Sequence, residues 1–372
     1  MSGWRITNYW VLIGWCVAVA VIFPLFIPQT AVRVNGQRKY RYPVIAVIVA
    51  CIPLMLWAAN RSWVGDTEVY RRTFTDMPVG MSGLSSYVDA QTKDKGFYFL
   101  SYLFKTLVSS SDVLYFGAIA ALQILCVMLV YRRYSSDFVL SAFLFVVSTD
   151  YLSWCFNGIR QFVAVCILFA CTGLMLKRRS LPLLIGIILA VSTIHQTALL
   201  MIPLVLICQG KAWNFRTIIF IAAAVAAVAF IGRFTTLLND MLTDTQYSDI
   251  MQDEIWMNDD GTSPIRVLVY SLPAIISFFG RRIIRESNNP LINFCTNMSV
   301  ASAGIYLVSA VTSGIFVGRL PIYASLYSYI LYPWMLRHTF TEESGSIVRV
   351  LLIIGYLLLF YYQMHTAWGV IE

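Results

Sequence analysis

Long apolar runs separated by short basic loops constrain this chain more than any other feature. The first run extends from about Trp10 to Ile27, and similar runs recur along the 372 residues. Only 12% of the residues are charged, against roughly 25% in a soluble domain. A span must satisfy its backbone polar groups internally, so such runs cross lipid as helices. The sequence therefore predicts an all-α polytopic membrane protein, with residues 1–372 forming one integral membrane domain.

The distribution of basic residues predicts the orientation. Basic residues cluster in short loops, such as RVNGQRKYR (33–41), YRRY (131–134) and RRIIR (281–285), which the positive-inside rule places in the cytoplasm. The net charge of +8 is explained by these loops and predicts no nucleic-acid partner. About twelve transmembrane helices follow, with both termini outside. Their ranges are roughly 8–29, 43–61, 111–131, 137–153, 158–177, 181–194, 196–209, 215–232, 264–281, 291–313, 317–336 and 347–366.

Two segments do not fit a simple series of crossings. GFYFLSYLFKTLV (96–108) is too short to span and would invert every later loop, so it predicts one short interfacial helix within an external loop, 62–110. The run from 180 to 210 would also invert the later loops as one helix, which predicts a break near His195. The acidic stretch within 233–263 predicts a second external loop.

The chain offers no pattern that is typical of a metal or disulfide site. Its eight cysteines are scattered through apolar runs without a CxxC or Cys/His spacing, so they predict small core residues. The sequence also contains no DxD pair or carboxylate cluster placed to hold a divalent cation. We therefore expect neither a metal nor a cofactor.

Charged side chains gather at the predicted outer ends of several helices. They are Arg61, Arg160, Arg233, Arg319 and His195, with Asp66 on a nearby loop. Charge at a membrane boundary is costly, and guanidinium groups fit phosphate oxygens, so the pattern favours a lipid-linked diphosphate as ligand. His195 or Asp66 would then act as a base. The alternatives stay open, since such arginines also snorkel, a membrane histidine also packs, and a loop aspartate is also simply solvated.

Two helix faces carry polar residues at regular spacing. Ser299, Ser302, Tyr306, Ser309 and Ser313 follow a 3,4,3,4 spacing, which predicts a closely packed helix face. Arg319, Tyr323 and Tyr327 share a face at a spacing of four. These tyrosines either stack on sugar rings or form an interfacial belt.

Four motifs occur in an order that resembles one family. They are RSWVGDTEVYRRTF (61–74), KDKGFYFLSYLFK (93–105), FNGIRQFVAV (156–165) and IHQTALLMIPL (194–204). Together they resemble the EpsG-type branch of the Wzy-like bacterial polysaccharide polymerases, which make O-antigen and exopolysaccharide. The resemblance implies a GT-C-like architecture and a multi-pass location in the bacterial inner or plasma membrane. By this resemblance Arg61, Asp66 and Tyr70 belong to the first external motif, Arg160 and Gln161 to the second, and His195 to the third.

The resemblance also implies an activity. It is the metal-independent joining of undecaprenyl-diphosphate-linked repeat units, on the periplasmic or exterior face, with release of lipid diphosphate. Donor and acceptor glycans, membrane lipid and a chain-length regulator protein are the implied partners. From the charge pattern and the resemblance together, we expect catalysis by His195 or Asp66. The expected substrate-binding residues are Arg160, Gln161, Arg61, Arg233, Arg319, Tyr70 and Tyr323. A flippase for lipid-linked oligosaccharides is the main alternative, and a membrane-bound O-acyltransferase that uses His195 is a third.

Overall fold

The structure is a computed structural model, and it describes residues 8–34, 37–61, 64–230 and 261–369. These residues are nearly all helical. The helices are α1 (Trp10–Phe26), α2 (Val44–Ala59), α3 (Thr67–Asp76), α4 (Leu84–Asp89), α5 (Lys95–Leu107), α6 (Asp112–Tyr134), α7 (Phe138–Val147), α8 (Asp150–Cys155), α9 (Ile159–Ala170), α10 (Thr172–Met175), α11 (Leu181–Ser192), α12 (Met201–Cys208), α13 (Phe215–Ala229), α14 (Pro264–Phe279), α15 (Arg281–Glu286), α16 (Pro290–Ser309), α17 (Ile322–Ser325), α18 (Ser328–His338) and α19 (Glu342–Tyr362).

Short helical turns and one hairpin complete the described structure. The 3₁₀ turns are Met81–Gly83, Arg178–Ser180, Gln196–Leu200 and Val317–Arg319, and a π turn follows α19 at Gln363–Ala367. The hairpin pairs β1 (Thr30–Val34) with β2 (Gln37–Arg41) in antiparallel register, with Thr30 opposite Arg41. The basic segment that the sequence analysis treated only as a loop is therefore mostly strand.

Among the described residues, three helices are long and apolar enough to cross a membrane: Asp112–Tyr134, Pro290–Ser309 and Glu342–Thr366. Shorter apolar helices lie within most of the other predicted spans, among them α1, α2, α13 and α14. The outward faces of these helices carry exposed large hydrophobic side chains such as Leu25, Ile45 and Phe279. An apolar surface of this kind suits lipid, not water. The membrane class thus has structural support, while the multi-pass topology and the number of twelve crossings stay predictions.

Two predictions about irregular segments can be compared with the helix bounds. Helix α11 ends at Ser192 and the next turn begins at Gln196, so the chain breaks at His195 as expected. Residues 95–107 form the helix α5, close to the predicted 96–108, and its interfacial position stays a prediction. Most of the predicted acidic external loop, 233–263, lies outside the described residues.

The chain packs as two compact units. The first contains the described residues within 1–172, 186–198 and 341–372, and the second contains those within 173–185 and 199–340. In the first unit α6 packs against α2 and α9. In the second unit α16 packs against α13 and α14, and it is buried along nearly its whole length. A helix that is buried all round can carry small polar residues only where partners satisfy them.

The serine face of α16 confirms the predicted close packing. Ser299, Ser302, Tyr306 and Ser309 are all buried. Ser299 Oγ lies 2.9 Å from Ser328 Oγ of α18, and Ser309 Oγ donates to Thr262 Oγ1 at 2.9 Å. Small side chains with hydroxyl partners let these backbones approach closely.

An asparagine on α16 holds the connection between α12 and α13. Asn297 is fully buried, and its Nδ2 donates to Cys208 O at 2.9 Å and to Lys211 O at 3.0 Å. Its Oδ1 accepts from Trp213 N at 2.8 Å. Trp213 has φ of 54°, a left-handed conformation that few bulky residues adopt. The three bonds therefore stabilise a turn that would be unfavourable alone.

Replacement of this asparagine tests the role of the turn. We expect Asn297→Ala to lower the free energy of unfolding by about 2–4 kcal/mol, because buried backbone groups lose their partners. Thermal unfolding in detergent, followed by size-exclusion chromatography, measures the change. Ser346→Ala, at an exposed position on α19, is the control. A melting temperature of Asn297→Ala equal to that of the control would contradict the prediction.

Candidate active site

A buried carboxylate lies at the start of α5 in the first unit. Asp94 has φ of 55° and ψ of 35°, a left-handed conformation that short polar residues tolerate better than most. Its side chain is only 1% exposed. An isolated charge is costly to bury, so the groups that surround this carboxylate decide whether it is stable. Those groups define the candidate site.

Arg160 and His195 contact the Asp94 carboxylate together. Arg160 Nη1 lies 2.9 Å from Oδ2, and His195 Nδ1 lies 3.2 Å from each carboxylate oxygen. An ionised carboxylate can only accept hydrogen bonds, so this contact requires the proton of the imidazole on Nδ1. In the neutral ring Nε2 then keeps its lone pair, and no other described residue hydrogen bonds to that atom. The carboxylate thus sets the tautomer of the histidine.

A glycine allows the break at His195 to reach α5. Gly96 N donates to Thr193 O at 2.8 Å, two residues before the histidine. A Cβ atom at residue 96 would lie 2.9 Å from the carbonyl carbon of Thr193, which is too close. Because α11 ends at Ser192, the backbone carbonyl of Thr193 is free to accept this bond. The broken helix and the glycine together place the imidazole beside Asp94.

Two tyrosines accept hydrogen bonds from further donors of Arg160. Its Nε donates to Tyr70 Oη at 3.3 Å, and its Nη1 donates to Tyr98 Oη at 3.4 Å. The guanidinium carbon also lies 5.8 Å from the centre of each ring. Burial raises the pKa of the Tyr70 hydroxyl, although the neighbouring Arg160 acts in the opposite direction. The phenol therefore keeps its proton, which it can donate to an anion.

Part of this guanidinium is left for a ligand. Arg160 Nη2 makes no hydrogen bond to the residues that the structure describes, and the side chain is 21% exposed. Each tyrosine accepts from the arginine, so each has its own O–H free to donate. The site thus combines a fixed cation, two hydroxyl donors and an imidazole lone pair.

Asp66 braces the turn that precedes Arg160. Its Oδ2 lies 3.5 Å from Gly158 N, and the Asn157 amide, oriented to donate, has its nitrogen 3.0 and 2.7 Å from the two carboxylate oxygens. Gly65 and Gly158 both have φ near 60°, and a Cβ on Gly65 would meet Asn157 Cβ at 3.0 Å. The pairs Gly65–Asp66 and Asn157–Gly158 are therefore packed closely against each other. These contacts favour a positioning role for Asp66 and leave His195 as the stronger candidate for a base.

Arg61 lies in the interior of the first unit. It is 1% exposed, its Nε donates to Ala58 O at 2.8 Å, and its Nη1 donates to Cys155 O at 2.7 Å. Its guanidinium carbon also lies 4.1 Å from the centre of the Phe116 ring. Contacts within the protein take up most of the interactions of the Arg61 side chain. This supports a structural role in which Arg61 joins α2 to the end of α8. The diphosphate contact expected of Arg61 stays a prediction.

The remaining residues of the expected site are Gln161, Arg319, Tyr323 and Arg233. Gln161 is buried in α9. Arg319 ends a 3₁₀ turn of the second unit, where Tyr323 is buried in α17. Arg233 lies outside the described residues. Of the site residues expected from the sequence, the structure therefore brings together Arg160, His195 and Tyr70, with Asp66 beside the turn that leads to Arg160. The convergence of four arginines at one site stays a prediction.

Asp94 and Tyr98 are the residues that sequence reasoning missed. Both lie in KDKGFYF, where the aspartate stands between two lysines in a polar loop. An aspartate in that setting is usually solvated, so burial could not be inferred from its neighbours. Gly96 was the available signal, because a glycine within an apolar helix often marks a close backbone approach.

No metal cluster accounts for the charges. Within 8–34, 37–61, 64–230 and 261–369, no three His, Cys, Asp or Glu side chains group closely enough to hold a metal ion. The Asp94 carboxylate is instead compensated by protein groups, a guanidinium and an imidazole N–H. The arrangement can accept a proton at Nε2 and stabilise an anion at Arg160.

Comparison with known proteins gives one match. A family model described as the EpsG family matches residues 44–369, which include every residue of the site. No curated protein and no solved structure matches the chain.

Loss of Arg61 should damage the fold, because its removal leaves buried carbonyls unsatisfied and a gap beside Phe116. We expect Arg61→Ala to reduce the yield of monodisperse protein in detergent at least several-fold, consistent with a cost of about 1–3 kcal/mol for each buried carbonyl that loses its donor. Arg72→Ala is the matched control, because Arg72 is largely exposed. Fluorescence-detected size-exclusion chromatography compares them, and equal monodisperse peaks would exclude the structural role.

Proposed function

Because the chain belongs to the EpsG family, we propose that it is a membrane polysaccharide polymerase whose reaction takes place at Asp94, Arg160 and His195. The donor is a glycan on undecaprenyl diphosphate, and the acceptor is a second lipid-linked repeat unit. The active site faces the outer side of the bacterial cell membrane. The observation that carries the assignment is the Asp94 carboxylate in contact with both a guanidinium and an imidazole.

His195 acts as the general base. An acceptor hydroxyl donates to Nε2, and the oxygen attacks the anomeric carbon of the donor as the proton passes to the ring. The Nδ1–H bond to Asp94 holds the ring in the tautomer that this step needs. Once both nitrogens are protonated, the buried carboxylate stabilises the imidazolium. The same logic governs carboxylate-oriented histidines in other hydrolases and transferases.

Arg160 stabilises the leaving group. The bond between the anomeric carbon and the diphosphate oxygen breaks, and undecaprenyl diphosphate leaves with the bonding electron pair. Nη2 and the hydroxyls of Tyr70 and Tyr98 are the donors directed at this charge. The guanidinium is preorganised by Asp94 and both phenols, so little reorganisation is needed in the transition state.

The charge balance of the site favours the reaction. Before the reaction the charges of the Asp94 carboxylate and the Arg160 guanidinium cancel. Proton transfer to His195 makes the site net positive at the moment when the lipid diphosphate gains negative charge. In a partly buried site, such opposite charges attract more strongly than they would in water. The imidazolium later returns its proton to solvent.

Substitution at Arg160 tests the leaving-group role. We expect Arg160→Ala to slow chain extension by about a hundredfold, or roughly 3 kcal/mol, the usual effect of removing one preorganised donor. Arg160→Lys keeps the charge but loses the planar fork, and it should recover only part of the rate. The assay measures polymer length in proteoliposomes supplied with undecaprenyl-diphosphate-linked repeat units.

The control for this test is Arg72→Lys, a change at an exposed position outside the site. Full polymer length from both Arg160 variants would end the proposed role. Movement of unextended repeat units across the membrane by the wild type, without lengthening, would instead identify a flippase.

A second set of variants separates the two candidate bases. We expect His195→Ala and Asp94→Asn each to reduce the rate by about 10²–10⁴-fold, since one removes the base and the other its orienting charge. Asp66→Asn keeps an oxygen toward Asn157 and should lower the rate less. Single-turnover rates in proteoliposomes, with folded yield measured for every variant, compare them. Normal turnover by His195→Ala together with loss in Asp66→Asn would transfer the base role to Asp66.

A further inference from the structure

A basic cavity lies within the second unit, apart from the residues of the proposed reaction. It has a volume of about 680 Å³. Its wall consists of Met175, Leu176, Arg178, Leu181, Leu206, Gln209, Gly210, Lys211, Arg216, Pro290, Asn293 and Phe294. Three cations line it: Arg178, Lys211 and Arg216. No acidic side chain is among the described residues of its wall. The cavity therefore carries positive charge that no lining carboxylate compensates.

The wall of the cavity is built on a rigid turn. Residues 209–214 connect α12 to α13, with Gly210 at φ of 106°. Asn293 Oδ1 accepts from Ala212 N at 2.9 Å, beside the bonds of Asn297 described above. From the other side Arg285 Nε donates to Ala212 O at 2.8 Å, and its Nη2 donates to Trp213 O at 2.6 Å. The turn is held on both sides, so Lys211 projects from a fixed backbone.

The three cations differ in their hydrogen bonds to the protein. Arg216 donates through Nη1 to Leu206 O and through Nη2 to Gln209 O, which fixes its charge at the end of α12. By contrast, Lys211 Nζ and the Arg178 guanidinium make no hydrogen bond to any described residue. One anchored charge beside two available donors is an arrangement that suits an anion with several oxygens, such as a phosphate.

The apolar part of the cavity wall indicates whether such a phosphate belongs to a lipid or to a soluble molecule. Leu176, Leu181, Leu206 and Phe294 line the same cavity. A small inorganic ion gains nothing from these apolar side chains, whereas an amphiphile can contact both kinds of wall. Basic pockets between membrane helices commonly bind the headgroups of anionic lipids. The combination of free cations and apolar side chains thus favours a lipid phosphate over a soluble one.

We propose that this cavity binds the phosphate headgroup of an anionic membrane phospholipid, with Arg178 and Lys211 donating to its oxygens and Arg216 contributing fixed charge. The site is independent of the proposed polymerase reaction, and none of its residues takes part there. Its occupancy would stabilise the second unit, because a ligand that binds only the folded state shifts the folding equilibrium.

Native mass spectrometry of the purified full chain tests the site. Detergent-solubilised protein is mixed with equal amounts of phosphatidylglycerol and phosphatidylcholine, and bound lipid is counted. We expect the wild type to retain phosphatidylglycerol about tenfold more than phosphatidylcholine, because the quaternary ammonium of phosphatidylcholine offsets the charge of its phosphate and is repelled by the lining cations. Arg178→Ala/Lys211→Ala should lose this preference.

The matched control removes the same charge from the same surface. Lys177→Ala/Arg179→Ala changes two exposed neighbours of Arg178 that do not line the cavity, and it should keep the preference. Equal loss in both double variants, or no preference in the wild type, would overturn the proposal. In a further arm inorganic phosphate is added at about 10 mM, roughly ten times the concentration that half-fills a site with a Kd of about 1 mM. We expect it to leave the lipid bound, and displacement would show that the cavity takes a soluble phosphate instead.

Discussion

The buried Asp94 carboxylate is the interaction on which the candidate active site depends. A carboxylate with 1% exposure is stable only when cations and donors surround it, and here a guanidinium and an imidazole N–H do so. The same contact fixes three things: the place of Arg160, the tautomer of His195 and the junction between α5 and the break after α11. The Asp94 carboxylate therefore supports both the local fold and the proposed reaction.

Close backbone approaches make that contact possible. Gly96 lets α5 reach Thr193, and the interlocked turns at Gly65 and Gly158 hold the start of α9, where Arg160 lies. Lys105 adds to this frame, since its Nζ donates to the carbonyls of Phe74, Thr75 and Met77 and so ties α5 to the end of α3. Because α3 carries Tyr70, the lysine also positions one of the phenols beside the arginine.

In the second unit, buried polar side chains likewise hold an irregular segment of the chain in place. The central helix of this unit, α16, is buried along nearly its whole length. Ser299 and Ser309 pair with hydroxyls of neighbouring segments, and Asn293 and Asn297 bond to the turn between α12 and α13. Those asparagines hold a turn in a conformation that it would not adopt alone. In both units, then, buried polar side chains determine where an irregular segment lies. In the first unit it is the break that carries His195, and in the second it is the turn that carries Lys211.

The sequence by itself determined the membrane class, the helical content, the break at His195, the packed serine face and the family. These follow from local properties: the length of apolar runs, the period of small residues, and the order of short motifs. Periodicity could not reveal that Asp94 is buried, that Arg61 bonds to backbone carbonyls, or that Asp66 braces a turn. Each of these depends on segments far apart in the chain, such as residues 94, 160 and 195. Only the tertiary structure decided them, because burial and partner choice are set by what the fold brings alongside a side chain.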